Sequence, residues 1–294
     1  MSDLHFPNYS AAVNNGNVAP EIIKEFQQFV FAFYTKNGRH EMVWRHTTDP
    51  YLITVSEVML QQTQVPRVET IYPQFIRKFP TLDTLASAAE ADVLSAWQGM
   101  GYNRRALSLQ KLCRIIRDEY NGVFPDNPDI LVKLPGIGPA TSCSIAAFAF
   151  NRPVVFIETN IRRIFIHCFF RDRESIDDTE LKPLVAAALP QSRAREWYWA
   201  LMDLGSAMKP VTGNPNRKST QYVKQPAFSG STRQTRGAIL KHLLTVKTAT
   251  TQELAEKFAL PEPQVRKILE AMTSEGFFVR QTADTWTIKN SQTP

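Results

Sequence analysis

Leu134-Pro135-Gly136-Ile137-Gly138-Pro139 is the stretch that decides the fold, because it places two glycines in one tight turn between two helical patterns. Apolar periodicity predicts a helix over 127–133 before the turn and another over 139–149 after it. The glycines let the backbone bend sharply and let a phosphate approach the amides of the next helix, whose dipole favours an anion. The pattern indicates a helix-hairpin-helix element, although the turn alone is equally compatible with an ordinary helix connector.

An acidic residue follows the hairpin. Glu158 lies 20 residues beyond Gly138, behind four apolar residues in the stretch PVVFIETNIRRIF. Taken alone, Glu158 is typical of an acid that caps the start of a helix and accepts hydrogen bonds from its amides. The hairpin and this acid together resemble the LPGVG and V-D-T/G-N signatures of the endonuclease III and MutY-type DNA glycosylases.

A second motif extends the resemblance toward the N-terminus. The run SEVMLQQTQV, from Ser56 to Val65, resembles the MutY-type adenine glycosylase motif at every position, whereas Glu57 alone would be an exposed helical glutamate. The resemblance continues through GMGYNRRALSL at 99–109 and WALMDLGSAM at 199–208. It covers roughly Val43 to Met208 and includes all the motifs of the family's catalytic domain.

The resemblance implies two carboxyl groups with different roles. In MutY-type enzymes the glutamate of this motif protonates the adenine ring and the acid after the hairpin stabilises the sugar cation, which assigns these roles to Glu57 and Glu158. Departure of a purine leaves positive charge on the deoxyribose, so one carboxyl must be ionised and the other protonated. We expect burial to raise the pKa of Glu57 and helix-start hydrogen bonds to keep Glu158 ionised.

The same resemblance predicts the residues that contact DNA. Gln61 resembles the side chain that fills the gap left by a flipped base, with Tyr102 or Asn103 acting beside it. Inserting a planar group recovers part of the lost stacking. A surface helix residue is the alternative reading of Gln61. The other DNA contacts that we predict in this domain are Gln62, Leu134, Gly136, Gly138 and Ala140.

The chain departs from the family pattern in several places. The sugar-side acid is normally Asp, and Glu158 is one methylene longer. Bifunctional members carry a lysine nucleophile where this chain has Ala140, so we expect base hydrolysis without AP-lyase activity. The family usually continues into four cysteines that hold a [4Fe–4S] cluster, but only Cys113, Cys143 and Cys168 occur here. We therefore expect neither the cluster nor any other cofactor or metal.

The periodicity predicts a mainly α protein in four consecutive parts. They are a flexible leader over 1–20, a helix-hairpin-helix glycosylase domain over 21–208, a linker or wrapping segment over 209–230, and a smaller winged helix-turn-helix domain over 231–294. In the glycosylase domain, predicted helices cover 21–37, 50–64, 67–78, 82–87, 89–98, 103–119, 127–133, 139–149, 158–170, 178–187 and 193–207.

The C-terminal module stands where MutY-type enzymes carry a Nudix-like domain that reads 8-oxoguanine. It combines predicted helices over 232–244, 251–258 and 262–275 with two short β runs. No segment shows sustained strand alternation before residue 275. The third helix of a winged helix usually faces DNA, which makes Gln264, Arg266 and Lys267 candidate contacts, and docking of a protein is the alternative.

Charge indicates the class of partner. The net charge is +6, and the segment from residue 208 onward holds 13 Lys and Arg against 6 Asp and Glu, so the basic surplus lies in the last third. This surplus favours a polyanion such as double-stranded DNA. Apolar runs are too short for a membrane span, and the N-terminus lacks the layout of a signal peptide. We expect a monomer in the cytoplasm, associated with the nucleoid in a prokaryote.

These observations predict a monofunctional DNA glycosylase of base excision repair, which hydrolyses the N-glycosidic bond of a flipped adenine mispaired with G or 8-oxoguanine. Two alternatives stay open. Ala140 and the missing opposite-base reader admit a glycosylase for uracil, thymine or another damaged base. If Glu158 does not support catalysis, the chain would be a non-catalytic DNA-binding protein with a winged-helix regulator module.

Overall fold

The computed structural model describes residues 5–14, 16–224 and 230–289. Within these residues the chain forms fourteen α-helices and one three-stranded sheet, which confirms the mainly α class. The chain divides into two compact units, each assembled from separated stretches. The four consecutive parts expected from the sequence stay a prediction. No helix of the described residues has the length and apolar character that a bilayer crossing requires.

The first unit comprises the described residues of Met1–Thr54, Pro125–Lys133 and Ile137–Lys224. Its core joins helices from both ends of this range around an aromatic cluster. The ring centroid of Phe26 lies 5.3 Å from Phe165, 5.0 Å from Phe169 and 5.9 Å from Trp197. The helices that belong wholly to this unit are α1 (Pro20–Asn37), α7 (Pro128–Leu131), α8 (Pro139–Phe150), α9 (Thr159–Phe169), α10 (Asp178–Ala188) and α11 (Ala194–Thr212).

The segment before α1 belongs to this unit and packs against its core. The sequence predicts a flexible leader there. Phe6 and Tyr9 are buried, and the Tyr9 amide donates to the carbonyl of Cys168 at 2.7 Å. The Tyr9 hydroxyl also donates to Glu25 Oε1 at 3.1 Å. Each buried aromatic ring removes a large apolar area from water, which offsets the entropy lost by ordering a polar stretch. Residues 1–4 and 15, which belong to the same predicted leader, lie outside the described residues.

Helix α11 continues past the end that the sequence predicts for it. It runs to Thr212 and contains Pro210, whereas the pattern predicts a helix ending at residue 207 and an irregular segment from residue 209. Proline removes one helical donor, here the one that would bond the carbonyl of Ser206. Ser206 is exposed, so water can bond that carbonyl instead. Residues 225–229 of the predicted linker lie outside the described residues.

The second unit comprises the described residues of Val55–Phe124, Leu134–Gly136 and Gln225–Pro294. Helix α2 (Pro50–Leu60) begins in the first unit and ends in this one. Its other helices are α3 (Val65–Lys78), α4 (Leu82–Ser87), α5 (Glu90–Ala96), α6 (Arg104–Glu119), α12 (Thr232–Val246), α13 (Thr251–Phe258) and α14 (Glu262–Ser274). Strands β1 (Thr248–Thr250), β2 (Phe278–Arg280) and β3 (Thr285–Ile288) form an antiparallel sheet in the order β1-β3-β2.

Strand β1 is an element that the sequence pattern does not predict, since no sustained strand alternation appears before residue 275. It pairs Ala249 with Trp286 of β3 and is three residues long. Trp286 is buried, and its indole nitrogen donates to Thr251 Oγ1 at 3.1 Å. Three residues are too short for a visible alternation of apolar and polar side chains. Pairing with a distant strand therefore determines β1, and its own sequence does not.

Candidate functional site

Glu158 forms the N-cap of α9 in the first unit. Its Oε1 accepts from the amides of Asn160 at 2.6 Å and Ile161 at 2.9 Å, while its Oε2 accepts from Asn160 Nδ2 at 3.2 Å. These contacts satisfy helix-start donors and hold the carboxylate beside the positive end of the helix dipole. The predicted position of Glu158 at a helix start is therefore what the structure shows.

A second layer of contacts holds Asn160. Its Oδ1 accepts from Arg163 Nη1 at 2.9 Å, and the same nitrogen donates to the carbonyl of Gly205 in α11. A Cβ added to Gly205 would lie 2.5 Å from the carbonyl oxygen of Asn160, so α11 approaches α9 more closely than a larger residue would allow. Glu158 is thus positioned through buried contacts that reach into the core.

Opposing effects act on the pKa of Glu158, and its ionised state stays a prediction. Burial raises this pKa above its ordinary value, while the amides of Ile161 and Asn160 and the Arg163 guanidinium lower it. The raising effect is larger, so the helix-start hydrogen bonds are present but do not hold the pKa at or below its normal range. Glu158 is half-buried, so its carboxylate is partly shielded from water and interacts more strongly with a nearby positive charge than a fully exposed carboxylate would.

The stretch after α11 is the part of the chain in which the family usually carries its cluster cysteines. In this protein it lies against the start of α9. The buried Asn216 side chain donates to the carbonyl of Thr159 at 2.9 Å. The amide of Ile176 donates to the carbonyl of Lys218 at 2.9 Å. The amide of Thr220 donates to the carbonyl of Ile176 at 3.0 Å. The stretch after α11 is therefore hydrogen-bonded to Thr159, the residue that follows Glu158.

The residues present do not fit a four-cysteine cluster. Cys113 belongs to α6 of the second unit, whereas Cys143 and Cys168 belong to α8 and α9 of the first. Burial raises the pKa of Cys113 and of Cys168 to about 12, which disfavours the thiolate that binds metals. Among the described residues, no group of three or more His, Cys, Asp and Glu could hold a metal ion.

Glu57 lies on α2, in the part of this helix that belongs to the second unit. Its neighbours Ser56 and Val58 are buried, and Glu57 itself is half-buried. Helix α2 ends at Leu60, earlier than the predicted residue 64, because Gln62 has a φ of 54° in the left-handed region. The motif therefore divides into a helical part with Glu57 and a turn with the two glutamines.

Arg105 of α6 holds this turn in place. Its Nη1 donates to the carbonyls of Val58 at 2.8 Å, Met59 at 3.0 Å and Gln61 at 2.5 Å. Its Nη2 donates to Thr63 Oγ1 at 3.0 Å and to the carbonyls of Met100 and Gly101. Burial lowers the pKa of Arg105 to about 10, so it stays charged near neutral pH. Sequence reasoning missed Arg105, although it lies in the quoted run GMGYNRRALSL.

Within the second unit, Gln61 contacts Gly136 of the hairpin; Gln61 and Tyr102 are called wedge residues below, because they are predicted to fill the gap left by a flipped base. Gln61 Nε2 donates to the carbonyl of Gly136 at 3.1 Å. Tyr102 is 39% exposed and has a φ of 45°, and Asn103 precedes α6 without capping it through its side chain. The ring of Tyr102 lies 5.5 Å from the Arg105 guanidinium. Arg105 thereby links the Gln61 turn to the Tyr102 loop.

The two hairpin glycines have different reasons to be glycine. Gly136 has a φ of 79°, and a Cβ there would lie 2.9 Å from Cβ of Ser108. Gly138 has an ordinary φ of −92° as N-cap of α8, and no described heavy atom beyond its chain neighbours lies within 4 Å of a Cβ built there. The protein itself therefore requires glycine at 136 only. The open space at 138 is what the approach of a phosphate would need.

We expect Gly136→Ala and Gly138→Ala to separate folding from DNA binding. Gly136→Ala should destabilise the protein by roughly 1–3 kcal/mol, because the side chain meets both a left-handed φ and Ser108. Gly138→Ala should leave the melting temperature unchanged and weaken the Kd for duplex DNA by about tenfold, on the order of 1.4 kcal/mol. Calorimetry and binding titrations measure the two effects. Equal melting temperatures for the two variants would contradict this assignment.

The remaining predicted residues lie as follows. Leu134 is buried beside the hairpin, and Ala140 is exposed in the first turn of α8. In α14, Gln264 and Lys267 are exposed, while Arg266 Nη2 forms an ion pair with Asp284 at 2.8 Å. Of the predicted set, the first unit contains Gly138, Ala140 and Glu158, and the second contains Glu57, Gln61, Gln62, Tyr102, Asn103, Leu134, Gly136, Arg266 and Lys267.

Comparison with known proteins shows the family of the chain. Residues 55–186 match the model of the HhH-GPD superfamily base excision DNA repair proteins. The chain is 33% identical over 268 residues to the adenine DNA glycosylase of Mycolicibacterium smegmatis, covering 84% of this chain and 90% of that protein. It is 32% identical over 279 residues to the adenine DNA glycosylase of Mycobacterium tuberculosis, covering 85% of this chain and 89% of that protein.

A solved structure supports the fold. The structure of a thermostable thymine-DNA glycosylase matches with a TM-score of 0.58 at 23% identity, covering 67% of this chain and 92% of the other. The motifs, the helical fold and the sequence identity over most of the chain lead to the same assignment. The chain belongs to the HhH-GPD superfamily of base excision DNA repair proteins and, within it, to the family of the adenine DNA glycosylases.

Proposed function

We propose that this protein is a monofunctional adenine DNA glycosylase, which hydrolyses the N-glycosidic bond of an adenine mispaired with G or 8-oxoguanine. The observation that carries the proposal is the Glu158 carboxylate, fixed by two amides at the start of α9 in a member of the adenine DNA glycosylase family. Its partner is double-stranded DNA with a mispaired base. We further propose that it acts as a monomer in the compartment that holds the chromosome.

Glu158 is suited to stabilise a cation at the sugar. Loss of the base leaves positive charge on C1′, and a preorganised carboxylate lowers the free energy of that transition state. Oε1 is already used by two amides, whereas Oε2 accepts one longer hydrogen bond, at 3.2 Å. A carboxylate oxygen can accept more than one interaction, so Oε2 can also face a cation. The burial that raises the pKa of the half-buried Glu158 also strengthens this attraction.

Glu57 supplies the proton and the glutamine turn supports base flipping. Glu57 is half-buried between buried neighbours on α2, and the family resemblance gives the glutamate of this motif the role of donating a proton to the leaving adenine. Gln61 beside Gly136 and the exposed Tyr102 ring are planar groups that can replace the flipped base in the stack.

A panel of duplexes tests the substrate. The target base should be A, U, T or a damaged base, each placed opposite G and opposite 8-oxoguanine, with single-turnover excision rates as the measurement. We expect A to be excised fastest, and Glu57→Gln to remove that activity while DNA binding is retained. Preferential excision of U or T would replace adenine by a pyrimidine substrate. Binding without excision of any base would favour the non-catalytic alternative.

We expect the reaction product to be an intact abasic site. A lyase needs an amine that forms a Schiff base with the sugar, and Ala140 after Pro139 offers none at the position of the family's lysine. Strand cleavage should therefore appear only after hot alkali, and borohydride should trap no more protein–DNA adduct than a non-enzymatic control. An adduct at the level of a true lyase would overturn this expectation.

We also propose that the protein works without an iron–sulfur cluster. The contacts of Asn216 and Lys218 in the stretch after α11 support this proposal, since they occupy the surface next to α9 with protein hydrogen bonds. The purified protein should be colourless and free of iron. Absorption near 400 nm together with stoichiometric iron would contradict the proposal.

We propose that the C-terminal module is a winged helix. Helices α12, α13 and α14 are followed by an antiparallel pair of strands, with β1 completing the sheet. We propose that it binds duplex DNA through the exposed face of α14, where Lys267 and Gln264 are accessible. Arg266 contributes less in this arrangement, because Asp284 already pairs with it.

A further inference from the structure

The C-terminal module contacts the Tyr102 loop within the second unit. Ser231 caps α12 by accepting from the amide of Gln234, so Arg233 stands in the first turn of that helix. The Arg233 Nη1 donates to the Tyr102 hydroxyl. Its guanidinium carbon also lies 5.6 Å from the centroid of the Tyr102 ring. One side chain of the module therefore reaches both the polar tip and the ring of a predicted wedge residue.

The Tyr102 ring has a second cation beside it that cannot easily move. The Arg105 guanidinium lies 5.5 Å from the ring centroid and is held by the carbonyls and hydroxyl described above. The backbone at Tyr102 has a φ of 45° and follows Gly101, which has a φ of 68°. Two cations, one of them hydrogen-bonded to several oxygens, and a left-handed backbone thus restrict the orientation of the ring.

We propose that Arg233 is a positioning residue for Tyr102, through which the C-terminal module sets how well the enzyme distinguishes a disrupted base pair from intact duplex. The inference rests on the proposed function only in that Tyr102 is taken as a wedge. Insertion of a ring at a disrupted step depends on the orientation of that ring, and such an interaction is absent on paired DNA. Arg233 therefore acts on the selectivity for a disrupted base pair over intact duplex. A basic residue that only contacts phosphate would instead change the affinity for all DNA by the same factor.

The structure provides a matched control on the same helix. Arg236 lies in α12 and pairs with Glu275 at 2.6 Å. Arg233→Met and Arg236→Met remove the same charge and the same fork of donors from neighbouring turns. Tyr102→Phe keeps the ring and removes only the oxygen that Arg233 contacts. Arg233→Lys keeps the charge and loses the planar fork.

The experiment measures the Kd of each variant for two duplexes of the same sequence. One duplex carries a tetrahydrofuran analogue of an abasic site and the other is fully paired. We expect Arg233→Met to lower the ratio of the two affinities about tenfold, a change on the order of 1.4 kcal/mol. Arg233→Lys should lower the ratio of the two affinities as Arg233→Met does, because the planar fork is lost in both. Arg236→Met should change both affinities by at most one common factor, so the ratio of the two affinities stays that of the natural chain.

A double-mutant cycle decides whether the effect passes through Tyr102. If it does, Tyr102→Phe lowers the ratio, and the double variant is no worse than Arg233→Met alone. Independent, multiplying effects would overturn the proposal, as would equal weakening of both duplexes by Arg233→Met. An unchanged ratio in Tyr102→Phe would overturn it too. The abasic analogue requires no excision, so failure of the adenine panel leaves this test valid.

Discussion

Glu158→Gln is expected to lower the single-turnover rate of base excision by roughly two orders of magnitude or more, the effect of losing a preorganised electrostatic group. Glutamine keeps the size of the side chain and can still accept hydrogen bonds from the amides of Asn160 and Ile161. It cannot supply negative charge to the sugar cation. Rates should be measured at saturating enzyme with the best duplex of the panel. An unchanged rate would assign the sugar-side role to another residue.

The stability of this variant provides the control, and its sign follows from the pKa. The native state raises the pKa of Glu158, so the ionised carboxylate destabilises the fold above the native pKa. Below the ordinary glutamate pKa both states are protonated and the cost disappears. We therefore expect Glu158→Gln to be at least as stable as the natural chain at neutral pH, with the difference vanishing in acid. A loss of stability at neutral pH would attribute the lower rate to misfolding.

Glu158→Asp tests the extra methylene. The natural side chain folds back so that Oε1 meets the amides at positions 160 and 161, which are the amides that an aspartate N-cap also reaches. The shorter carboxylate should therefore keep nearly the same place, and we expect a rate within about tenfold of the natural chain, or roughly 1.4 kcal/mol. A rate as low as that of Glu158→Gln would show that the longer side chain is required.

Arg105→Met is expected to be the most destabilising single change near the candidate site. It would remove the Arg105 donor from the carbonyls of Val58 and Met59, and it would leave those of Gln61 and Met100 with only long contacts from the Thr63 hydroxyl, at 3.4 and 3.5 Å. Each unpaired buried acceptor costs about 1–3 kcal/mol. Some of these carbonyls can bind water, so we expect a total of roughly 3–5 kcal/mol, as for breaking a buried charged contact. Thermal and denaturant unfolding measure it.

The adjacent Arg104 provides the control for that change. Arg104 is exposed at the start of α6, so Arg104→Met should alter stability by no more than about 0.5 kcal/mol. Arg105→Lys should not rescue the fold, because an ammonium cannot bond acceptors on two sides of a planar fork. If Arg105→Met were as stable as Arg104→Met, the turn after α2 would not depend on the hydrogen bonds of Arg105.

The helices were largely determined by local sequence. Patterns predict helices over 82–87 and 251–258, and α4 and α13 have those bounds. In α13 a capping box between Thr250 and Glu253 marks the start, and both residues are readable from the chain. The family motifs are likewise contiguous, so the sequence was sufficient to assign the superfamily, now confirmed, and to nominate Glu57, Gln61 and Glu158, whose roles stay predictions.

Only the tertiary structure decided the rest, because the determining contacts join residues far apart in the chain. Arg105 reaches carbonyls more than 40 positions away, and Arg233 reaches Tyr102 over 131 positions. Strand β1 exists through its pairing with β3, and Gly136 is needed partly because Ser108 packs against it. The direction of the Glu158 pKa shift depends on burial, which no local pattern measures. Periodicity records neighbours three or four residues apart, whereas burial and long-range hydrogen bonds depend on the whole fold.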